Sequence, residues 1–363
     1  MPPPQRADYD VVIETGILGR VAEMVTRVAP AYRYAVIADR SVAAHWAAPL
    51  LSSFREGGAR VDLFEVEPGE EHKTRETWAA LTDAMLEAGI GRDGAVIGLG
   101  GGVATDLAGF VAATFMRGLP LVQVPTSLLA MVDASVGGKT GVDTPAGKNL
   151  VGTFHQPRLV VIDPEVIRTL PEQELRNGLA EAVKHGAITD AGYLHWIEEE
   201  AEAILARDPD ALALLIRRSI EIKARYVAED PLEAGPRKAL NFGHTVGHAL
   251  EAIGAYRLPH GHAVAIGMIA ESAAGEAAGV TEQGTTDVLR EVLDRLGLPV
   301  AAPEPADPAA IVALMRRDKK ARGGAVHATL LERIGRVARR KDGGWTHVLD
   351  ADLTARGLEA VKP

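Results

Sequence analysis

The chain of 363 residues is long enough for two domains, and its 47% hydrophobic and 24% charged residues are typical of a folded protein. It has no cysteine, which excludes disulfide bonds, thiolate-bound metals and a cysteine nucleophile. Its net charge of −10, from 39 basic and 49 acidic residues, argues against nucleic acid as a partner. Because the sequence shows neither a secretion signal nor a membrane-spanning stretch, we expect a cytoplasmic protein with no membrane partner.

The first 165 residues alternate short β-branched segments with amphipathic segments, a pattern typical of parallel strands joined by crossover helices. Helices are predicted at 41–54, 74–88 and 104–115, with Ser41 and Thr74 as N-caps. We therefore predict an α/β domain over residues 1–165. Its predicted strands are 9–13, 34–37, 61–66, 95–99, 121–124 and 159–162.

From residue 166 onward, long segments rich in Ala, Leu, Glu and Arg predict helices packed on helices. A short β excursion is predicted at 326–331 and 336–340. We predict a second, mainly α-helical domain over residues 166–363. Its predicted helices are 173–188, 193–206, 209–230, 242–252, 261–278, 285–296 and 308–318.

A glycine-rich turn at 98–103 follows an apolar strand and precedes a helix-like segment. This context suits pyrophosphate, because glycines let the backbone approach closely and a helix N-terminus favours negative charge. Val103 stands where the dinucleotide fingerprint has its third glycine, so a purely structural turn remains an alternative. Asp39, Glu70 and Lys73, expected beside strand ends, favour a nucleotide because an acid there can accept ribose hydroxyls.

Residues 133–149 combine two lysines, four glycines and an asparagine, and we predict a connecting loop that binds an oxyanion. A mobile surface loop is the alternative. The run Gly138-Lys139-Thr140 resembles the end of a P-loop, but Asp133 occupies the position of the first glycine. Nucleoside triphosphate chemistry is therefore excluded.

Four of the eleven histidines fall within residues 244–262, which indicates a metal site. His244 and His248 lie four residues apart, so they share one helix face, and His260 and His262 follow at a loop-to-helix junction. A catalytic divalent ion takes three protein ligands and keeps an open position, and Glu181 is the best carboxylate candidate for the third ligand. Spacing alone does not choose among the four histidines.

Five motifs resemble those of the 3-dehydroquinate synthase family, which belongs to the sugar phosphate cyclases, and the resemblance extends over nearly the whole chain. They lie at 100–106, 125–139, 147–149, 178–184 and 241–248. The resemblance implies an N-terminal Rossmann-like parallel-sheet domain that binds NAD, a C-terminal helical domain that carries the metal ligands, and a homodimer.

The resemblance also implies a role for individual residues. Glu181, His244 and His260 would bind zinc or cobalt, and His248 would be a catalytic group beside the metal. At His262 the family usually has glutamate, so this chain places an additional imidazole beside the site. Arg117 would reach the substrate of the partner subunit. The implied substrate contacts are Asp133, Lys139, Lys148, Asn149, Lys184, Lys223, Arg237, Asn241 and Lys319. The implied NAD contacts are Asp39, Glu70, Lys73, Gly101, Gly102, Asp106, Thr126, Ser127, Lys139, Lys148, Thr169, Leu170 and Glu174.

The implied activity is that of a phosphate-eliminating carbon-oxygen lyase of the shikimate pathway, which leads to aromatic amino acids. Its anionic sugar phosphate substrate, 3-deoxy-D-arabino-heptulosonate 7-phosphate, would become 3-dehydroquinate through transient oxidation by NAD, phosphate elimination, re-reduction and aldol closure. Other sugar phosphate cyclases, such as 2-deoxy-scyllo-inosose or 2-epi-5-epi-valiolone synthase, are the first alternative. A metal-dependent polyol dehydrogenase is the second, and a non-catalytic NAD-sensing module is the third.

Overall fold

The computed structural model describes residues 8–254, 257–303, 308–317 and 326–363. The chain forms two compact units. The first comprises the residues as far as Pro171 together with Leu212–Ile220, and the second comprises Glu172–Ala211 and Glu221–Pro363. The division after residue 165 stays a prediction. Among the described residues, no helix is both long enough and apolar enough to cross a membrane.

The first unit is built around a parallel sheet of six strands in the order β1-β8-β5-β4-β2-β3. Helices lie between its strands, and β2 and β4 are almost wholly buried, as expected for a sheet covered on both faces. All six predicted strands are confirmed. The strands of this unit are β1 Asp10–Ile13, β2 Arg33–Asp39, β3 Arg60–Val66, β4 Gly94–Gly100, β5 Leu121–Pro125, β6 Lys139–Thr144, β7 Gly147–Phe154 and β8 Leu159–Ile162. Its helices are α1 Val21–Val28, α2 Arg40–Glu56, α3 Arg75–Glu87 and α4 Gly102–Thr114.

One of the two predicted N-caps is confirmed and the other is wrong. Thr74 caps α3, where its hydroxyl accepts the N–H of Thr77 at 3.1 Å. Ser41 does not cap α2; the Asp39 carboxylate does, accepting the N–H of Val42 at 2.9 Å. The helix begins earlier than predicted because the acid that ends β2 already accepts the Val42 N–H in its first turn.

The prediction of a connecting loop at 133–149 is wrong. Residues Ala130–Ala134 form a short π-helical segment, and β6 and β7 form an antiparallel hairpin. Gly141 faces Gly152 in this hairpin, and a Cβ atom on Gly141 would lie 2.7 Å from the Val151 carbonyl oxygen. Some of the glycines therefore permit close strand pairing rather than contact with a ligand.

The second unit is mainly helical, as predicted. The predicted helix 193–206 is in fact two helices, α6 and α7, which meet at Glu200. The β excursion is confirmed, with a further strand, β12, paired to β9. The predicted helix 308–318 ends outside the described residues. The elements are α5 Glu172–Thr189, α6 Ala191–Glu199, α7 Ala201–Leu205, α8 Pro209–Glu229, α9 His244–Ile253, α10 His260–Ala277, α11 Thr285–Arg295, α12 Pro308–Arg317, β9 Val326–Ala328, β10 Leu331–Arg333, β11 Arg336–Val337, β12 His347–Leu349 and α13 Ala351–Glu359.

Helix α10 lies at the centre of the second unit and packs against α5 and α9. Its residues from Ala263 to Ala270 are buried on every side, as expected of a helix that is hydrophobic all round. A Cβ atom on Gly267 would collide with the Gly243 carbonyl oxygen, so this glycine lets α10 approach the start of α9 closely. The three helices that carry the predicted metal ligands therefore pack together.

Candidate active site

Helix α5 buries a charged pair in its apolar surface. Glu181 is fully buried, and its Oε2 accepts a hydrogen bond from the Lys184 ammonium, which is 1% exposed. Residues three apart in a helix lie on one face, as the sequence indicates for this pair. Both groups are removed from water, so this pair is not an ordinary surface salt bridge.

The other carboxylate oxygen of Glu181 faces two imidazoles. Its Oε1 lies 3.5 Å from His244 Nε2 and 3.7 Å from His260 Nε2. Ligands about 2.0–2.1 Å from a tetrahedral zinc ion lie roughly 3.4 Å apart, so this spacing suits one ion at the centre. One carboxylate oxygen and two imidazole nitrogens are also a ligand set of catalytic zinc. The residues fit a divalent metal.

The other ring nitrogen of each imidazole faces an oxygen atom that can accept a hydrogen bond. The Nδ1 of His244 lies 3.1 Å from the Phe242 carbonyl oxygen, and the Nδ1 of His260 lies 3.3 Å from Glu251 Oε2. An Nδ1–H that donates to these oxygens leaves Nε2 as the lone-pair donor. Nε2 is therefore the ring nitrogen of each histidine that faces Glu181, and on His260 an ion would have to displace the proton at this position.

The electrostatic environment differs between the two imidazoles. Burial, with Lys184 nearby, holds the pKa of His244 well below its usual value, so this ring is neutral. Burial also opposes the charging of His260, but its hydrogen bonds to Glu181 and Glu251 and their negative charges raise its pKa to about 10. The space between Glu181 and Glu251 therefore favours a positive charge.

His248 and His262 occupy different surroundings. The His248 ring centre lies 5.3 Å from that of His244 and 6.0 Å from that of His260. A ligand atom of His248 also lies within 4.8 Å of those of Glu251 and His260. His262 is instead near Glu174, and burial lowers its pKa. His260 rather than His262 thus joins Glu181.

The segment that leads into α9 carries further predicted substrate contacts. Arg237 is buried, and its backbone N–H donates to Asp230 Oδ2 at 3.2 Å. The Asn241 amide donates to Glu233 Oε1 at 2.6 Å, and Lys223 is buried on α8. Asp230 and Glu233 are contacts that the sequence analysis missed. Lys319 lies outside the described residues.

In the first unit, several predicted cofactor contacts meet at the carboxyl edge of the sheet. The neighbouring strands β2 and β4 lead to connections that run in opposite directions, which is the switch point where such sheets bind ligands. Asp39 ends β2, and Gly101 and Gly102 begin α4 after β4. A Cβ atom on Gly101 would lie 3.2 Å from Ser127 Oγ, and Thr126 follows β5 beside it. These residues fit the phosphates of a dinucleotide.

A buried lysine gathers three carboxylates in the same unit. The Nζ of Lys73 lies 2.6 Å from Glu70 Oε1, 3.3 Å from Asp106 Oδ2 and 3.7 Å from Asp143 Oδ1. The Nζ of Lys148 lies 3.9 Å from Glu70 Oε1. The structure thus brings four predicted residues together and adds Asp143, which the sequence analysis missed.

This cluster shifts the pKa values of its members. Burial raises the pKa of Asp106 to about 6 although Lys73 opposes the shift. Burial would lower the pKa of Lys73, but Asp106, Glu70 and Asp143 raise it above its ordinary value. For Glu70, burial is outweighed by Lys73 and Lys148, which lower its pKa. Lys73 is therefore charged, and Asp106 changes charge near pH 6.

The other predicted contacts are spread over the first unit. Asp133 lies in the π-helical segment, and Lys139 begins β6 with an exposed side chain. Asn149 has φ +54°, and its N–H donates to Asp143 Oδ1 at 2.8 Å. Thr169 Oγ1 accepts the Trp46 indole N–H at 2.9 Å, and Leu170 follows Thr169.

Two predicted site residues lie outside the clusters described above: Arg117 is exposed in a turn of the first unit, and Glu174 belongs to the second unit. Arg117 is exposed and has φ +71°, directly after Met116 with φ +50°, so a strained turn holds it outward. Glu174 belongs to the first turn of α5, in the second unit, and accepts the Asn177 amide at 3.0 Å. Asn177 in turn accepts the Gly261 N–H at 2.5 Å and so joins α5 to the start of α10.

The sequence analysis also missed Asn177, Glu251 and Glu271. Helical spacing could have identified Glu251, because His244, His248 and Glu251 follow the i, i+4, i+7 pattern of one face. Asn177 accepts an N–H from a residue 84 positions away, and Glu271 accepts N–H groups from residues 25 to 28 positions away, so no local pattern indicates either of them.

Family models describe most of the chain. The model for the 3-dehydroquinate synthase N-terminal region matches residues 63–177, and the model for its C-terminal region matches residues 178–321. Relatives named 3-dehydroquinate synthase include one from Symbiobacterium thermophilum, 43% identical over 98% of each chain. Another, from Xanthomonas axonopodis pv. citri, is 45% identical over 91% of each chain.

Solved structures of similar fold include two synthases. A 2-deoxy-scyllo-inosose synthase complexed with carbaglucose-6-phosphate, NAD⁺ and Co²⁺ has a TM-score of 0.89 and 25% identity, covering 97% of this chain and 96% of that one. A 2-epi-5-epi-valiolone synthase from Streptomyces hygroscopicus subsp. jinggangensis with NAD⁺ and Zn²⁺ bound has a TM-score of 0.88 and 28% identity, covering 99% and 98%. A butanol dehydrogenase from Thermotoga maritima shares the fold alone, with a TM-score of 0.69 and 17% identity, covering 98% and 97%.

Proposed function

Because the chain belongs to the 3-dehydroquinate synthase family, we propose that it converts 3-deoxy-D-arabino-heptulosonate 7-phosphate into 3-dehydroquinate and phosphate. The observation that carries this proposal is the buried cluster of Glu181, His244 and His260, whose ligand atoms face one another at metal-site spacing. The relatives named for this activity are 43–45% identical to the chain, whereas the inosose and valiolone synthases are 25% and 28% identical.

The proposed cofactors are NAD⁺ and a divalent ion, zinc or cobalt. Two structural relatives contain NAD⁺ together with Co²⁺ or Zn²⁺, and the ligand set in this chain is one that zinc favours. When bound, NAD⁺ supplies reversible hydride transfer and the ion supplies Lewis acidity at the substrate hydroxyls.

The second unit would hold the metal and move a proton. Glu181, His244 and His260 would hold the ion, with Oε1 and the two Nε2 atoms as the facing ligand atoms. His248, whose ring lies beside both imidazoles, takes the proton of the substrate hydroxyl that is oxidised and later returns it. An imidazole suits this role because it can exchange protons near neutral pH.

Basic and amide groups would bind the anionic substrate. Positive charge and N–H donors neutralise a carboxylate and a phosphate and hold the phosphate in place until it leaves. In the second unit the proposed groups are Lys184, Lys223, Arg237, Asn241 and Lys319. In the first unit they are Lys139, Lys148 and Asn149, and the Asp133 carboxylate would accept a hydroxyl of the substrate.

The first unit would bind NAD⁺. The pyrophosphate would lie at the start of α4, where Gly101 and Gly102 leave room for it and the helix N-terminus favours its charge. Carboxylates at the strand ends would accept ribose hydroxyls, and Lys73 would orient the cofactor within its acidic cluster. The proposed contacts are Asp39, Glu70, Lys73, Gly101, Gly102, Asp106, Thr126, Ser127, Lys139, Lys148, Thr169 and Leu170, with Glu174 from the second unit.

A cytoplasmic homodimer is the proposed state of the protein. Strand β7 exposes Leu150 and Phe154, which lie on one face of the strand and offer an apolar surface to a second copy. The outward position of Arg117 suits a side chain that serves the substrate of a partner subunit. Analytical ultracentrifugation tests the dimer, and a monomer at micromolar concentration would contradict it.

The decisive experiment incubates the purified protein with the heptulosonate phosphate, NAD⁺ and zinc, and measures phosphate and 3-dehydroquinate. We expect equal amounts of both products and no net NADH. Turnover of glucose 6-phosphate instead would favour the inosose synthase alternative. Steady NADH formation from glycerol would favour a polyol dehydrogenase, and the lack of any stoichiometric divalent ion would favour a non-catalytic module.

A further inference from the structure

A buried carboxylate from one helix caps the N-terminus of another. Glu271, on α10, is 0% exposed. Its Oε2 accepts the Gly243 N–H at 2.8 Å, and its Oε1 accepts the N–H groups of Thr245 at 2.8 Å and Val246 at 3.0 Å. These three donors are backbone groups at the start of α9. One side chain therefore satisfies N–H groups that would otherwise be left without helix partners.

Helix α9 has no cap of its own. Its N-cap position is Gly243, with φ +79° and no side chain, and its first turn contains no acidic residue. A negative charge at a helix N-terminus is favourable, and it is more so when water is excluded. The cap for α9 is thus supplied across the helix interface, from a residue 26 positions beyond Thr245.

The two helices joined in this way carry two of the proposed metal ligands at their first residues. Helix α9 begins at His244, and α10 begins at His260. Two of the capped N–H groups flank His244 directly, and Glu271 lies on the same rigid helix as His260. Gly267, one turn before Glu271, packs against the Gly243 carbonyl oxygen. The start of α9 is therefore held on α10 from two sides.

We propose that Glu271 is a positioning residue for the metal site: by binding the backbone around His244, it sets the distance from His244 Nε2 to His260 Nε2. This inference rests on the proposed function. Supporting groups of this kind alter metal affinity by roughly 10–100-fold when they are changed. The three hydrogen bonds described above join Glu271 to backbone N–H groups, so it would act on the site through the backbone.

A purely stabilising cap would behave differently, and the chain offers a matched control. Glu276 is also on α10, and its Oε1 accepts the Thr286 N–H at 2.8 Å, which caps α11. Helix α11 carries none of the proposed site residues. Loss of the Glu276 cap should therefore weaken the fold and leave the metal site unchanged.

The test compares Glu271→Gln, Glu271→Ala and Glu276→Gln with the parent protein. Glutamine keeps one of the two acceptor oxygens of Glu271. Its NH₂ group replaces the other oxygen and cannot accept a hydrogen bond from the backbone N–H groups that face it. Zinc affinity is measured by competition with a chromophoric chelator, and the absorption spectrum of the cobalt-loaded protein reports ligand geometry. We expect zinc to bind about tenfold more weakly to Glu271→Gln, with a shifted cobalt spectrum, and no more than a twofold change in Glu276→Gln.

Zinc affinity within twofold of the parent in a folded Glu271→Gln protein would overturn the inference, even if its thermal midpoint fell. If Glu271→Ala does not fold, Glu271→Gln decides the question alone. A parent protein that binds no zinc would overturn the proposed metal site and this inference with it. A parent that binds zinc while Glu271→Gln binds it equally well would overturn only the role of Glu271.

Discussion

Asp106 provides a test of the acidic cluster in the first unit. Its side chain is 18% exposed, and burial raises its pKa from 3.8 to about 6. One pKa unit corresponds to 1.36 kcal/mol, so holding Asp106 ionised above pH 6 costs the folded state about 3 kcal/mol. Asn has nearly the same shape and no charge. We therefore expect Asp106→Asn to stabilise the protein at pH 8 by up to about 3 kcal/mol.

The sign of the pH dependence follows from the direction of the shift. Between pH 3.8 and 6 the folded protein binds more protons at Asp106 than the unfolded chain does. The stabilisation that the folded protein gains by keeping Asp106 protonated is complete below pH 3.8, and it is lost as the pH rises through 6. The advantage of Asp106→Asn should accordingly be largest at pH 8 and should disappear toward pH 4.

Thermal unfolding at pH 4.5, 6 and 8 measures this effect. For a unit of this size, 3 kcal/mol corresponds to a rise of roughly 6–12 °C in the midpoint at pH 8. Asp62→Asn is the control, because it removes a partly exposed ion pair with Arg33 and should lower stability by about 0–1 kcal/mol. An Asp106→Asn protein that is less stable than the parent at pH 8, or equally improved at pH 4.5, would refute the reasoning.

Three further predictions concern the second unit. Glu181→Gln should bind zinc about 100-fold more weakly than the parent, so metal analysis after dialysis should find little zinc in the variant. A variant that keeps as much zinc as the parent would contradict the role of Glu181 as a ligand. His248→Ala should keep its zinc but lose most of its turnover in the phosphate-release assay; full activity would refute a role in proton transfer. Gly267→Ala should lower stability by about 2 kcal/mol or more in urea denaturation, because its Cβ meets a rigid backbone oxygen. Gly192→Ala is the control and should be neutral, and equal effects of both substitutions would contradict the packing argument.

The parallel sheet was predictable because its strands are short, β-branched and continuous. Strands buried on both faces need no alternation, so runs such as Leu159–Ile162 are visible in the sequence alone. The hairpin of β6 and β7 was not predictable in the same way. Its glycines and lysines are typical of a ligand-binding loop, and only the pairing of Gly141 with Gly152 shows that they also serve strand contact.

The cluster of Glu181, His244 and His260 was predictable from the sequence only in part. Helical spacing indicates that Glu181 and Lys184 share a face and that His244 and His248 do too. The choice of His260 for the cluster required the family resemblance, because it depends on how α10 packs against α5 and α9. The same packing brings in Asn177 and Glu271, whose partners are distant in sequence and therefore leave no periodic signal.

Helices α5, α9 and α10 each supply one member of the Glu181, His244 and His260 cluster, and this has a consequence during synthesis. A growing chain contains the carboxylate first, then one imidazole, and the second only when residue 260 has been added. No shorter fragment can present all three atoms to an ion. Metal binding at this cluster would therefore require that residue 260 has been added and that the three helices have packed together, and a product truncated before residue 260 could not bind the ion there.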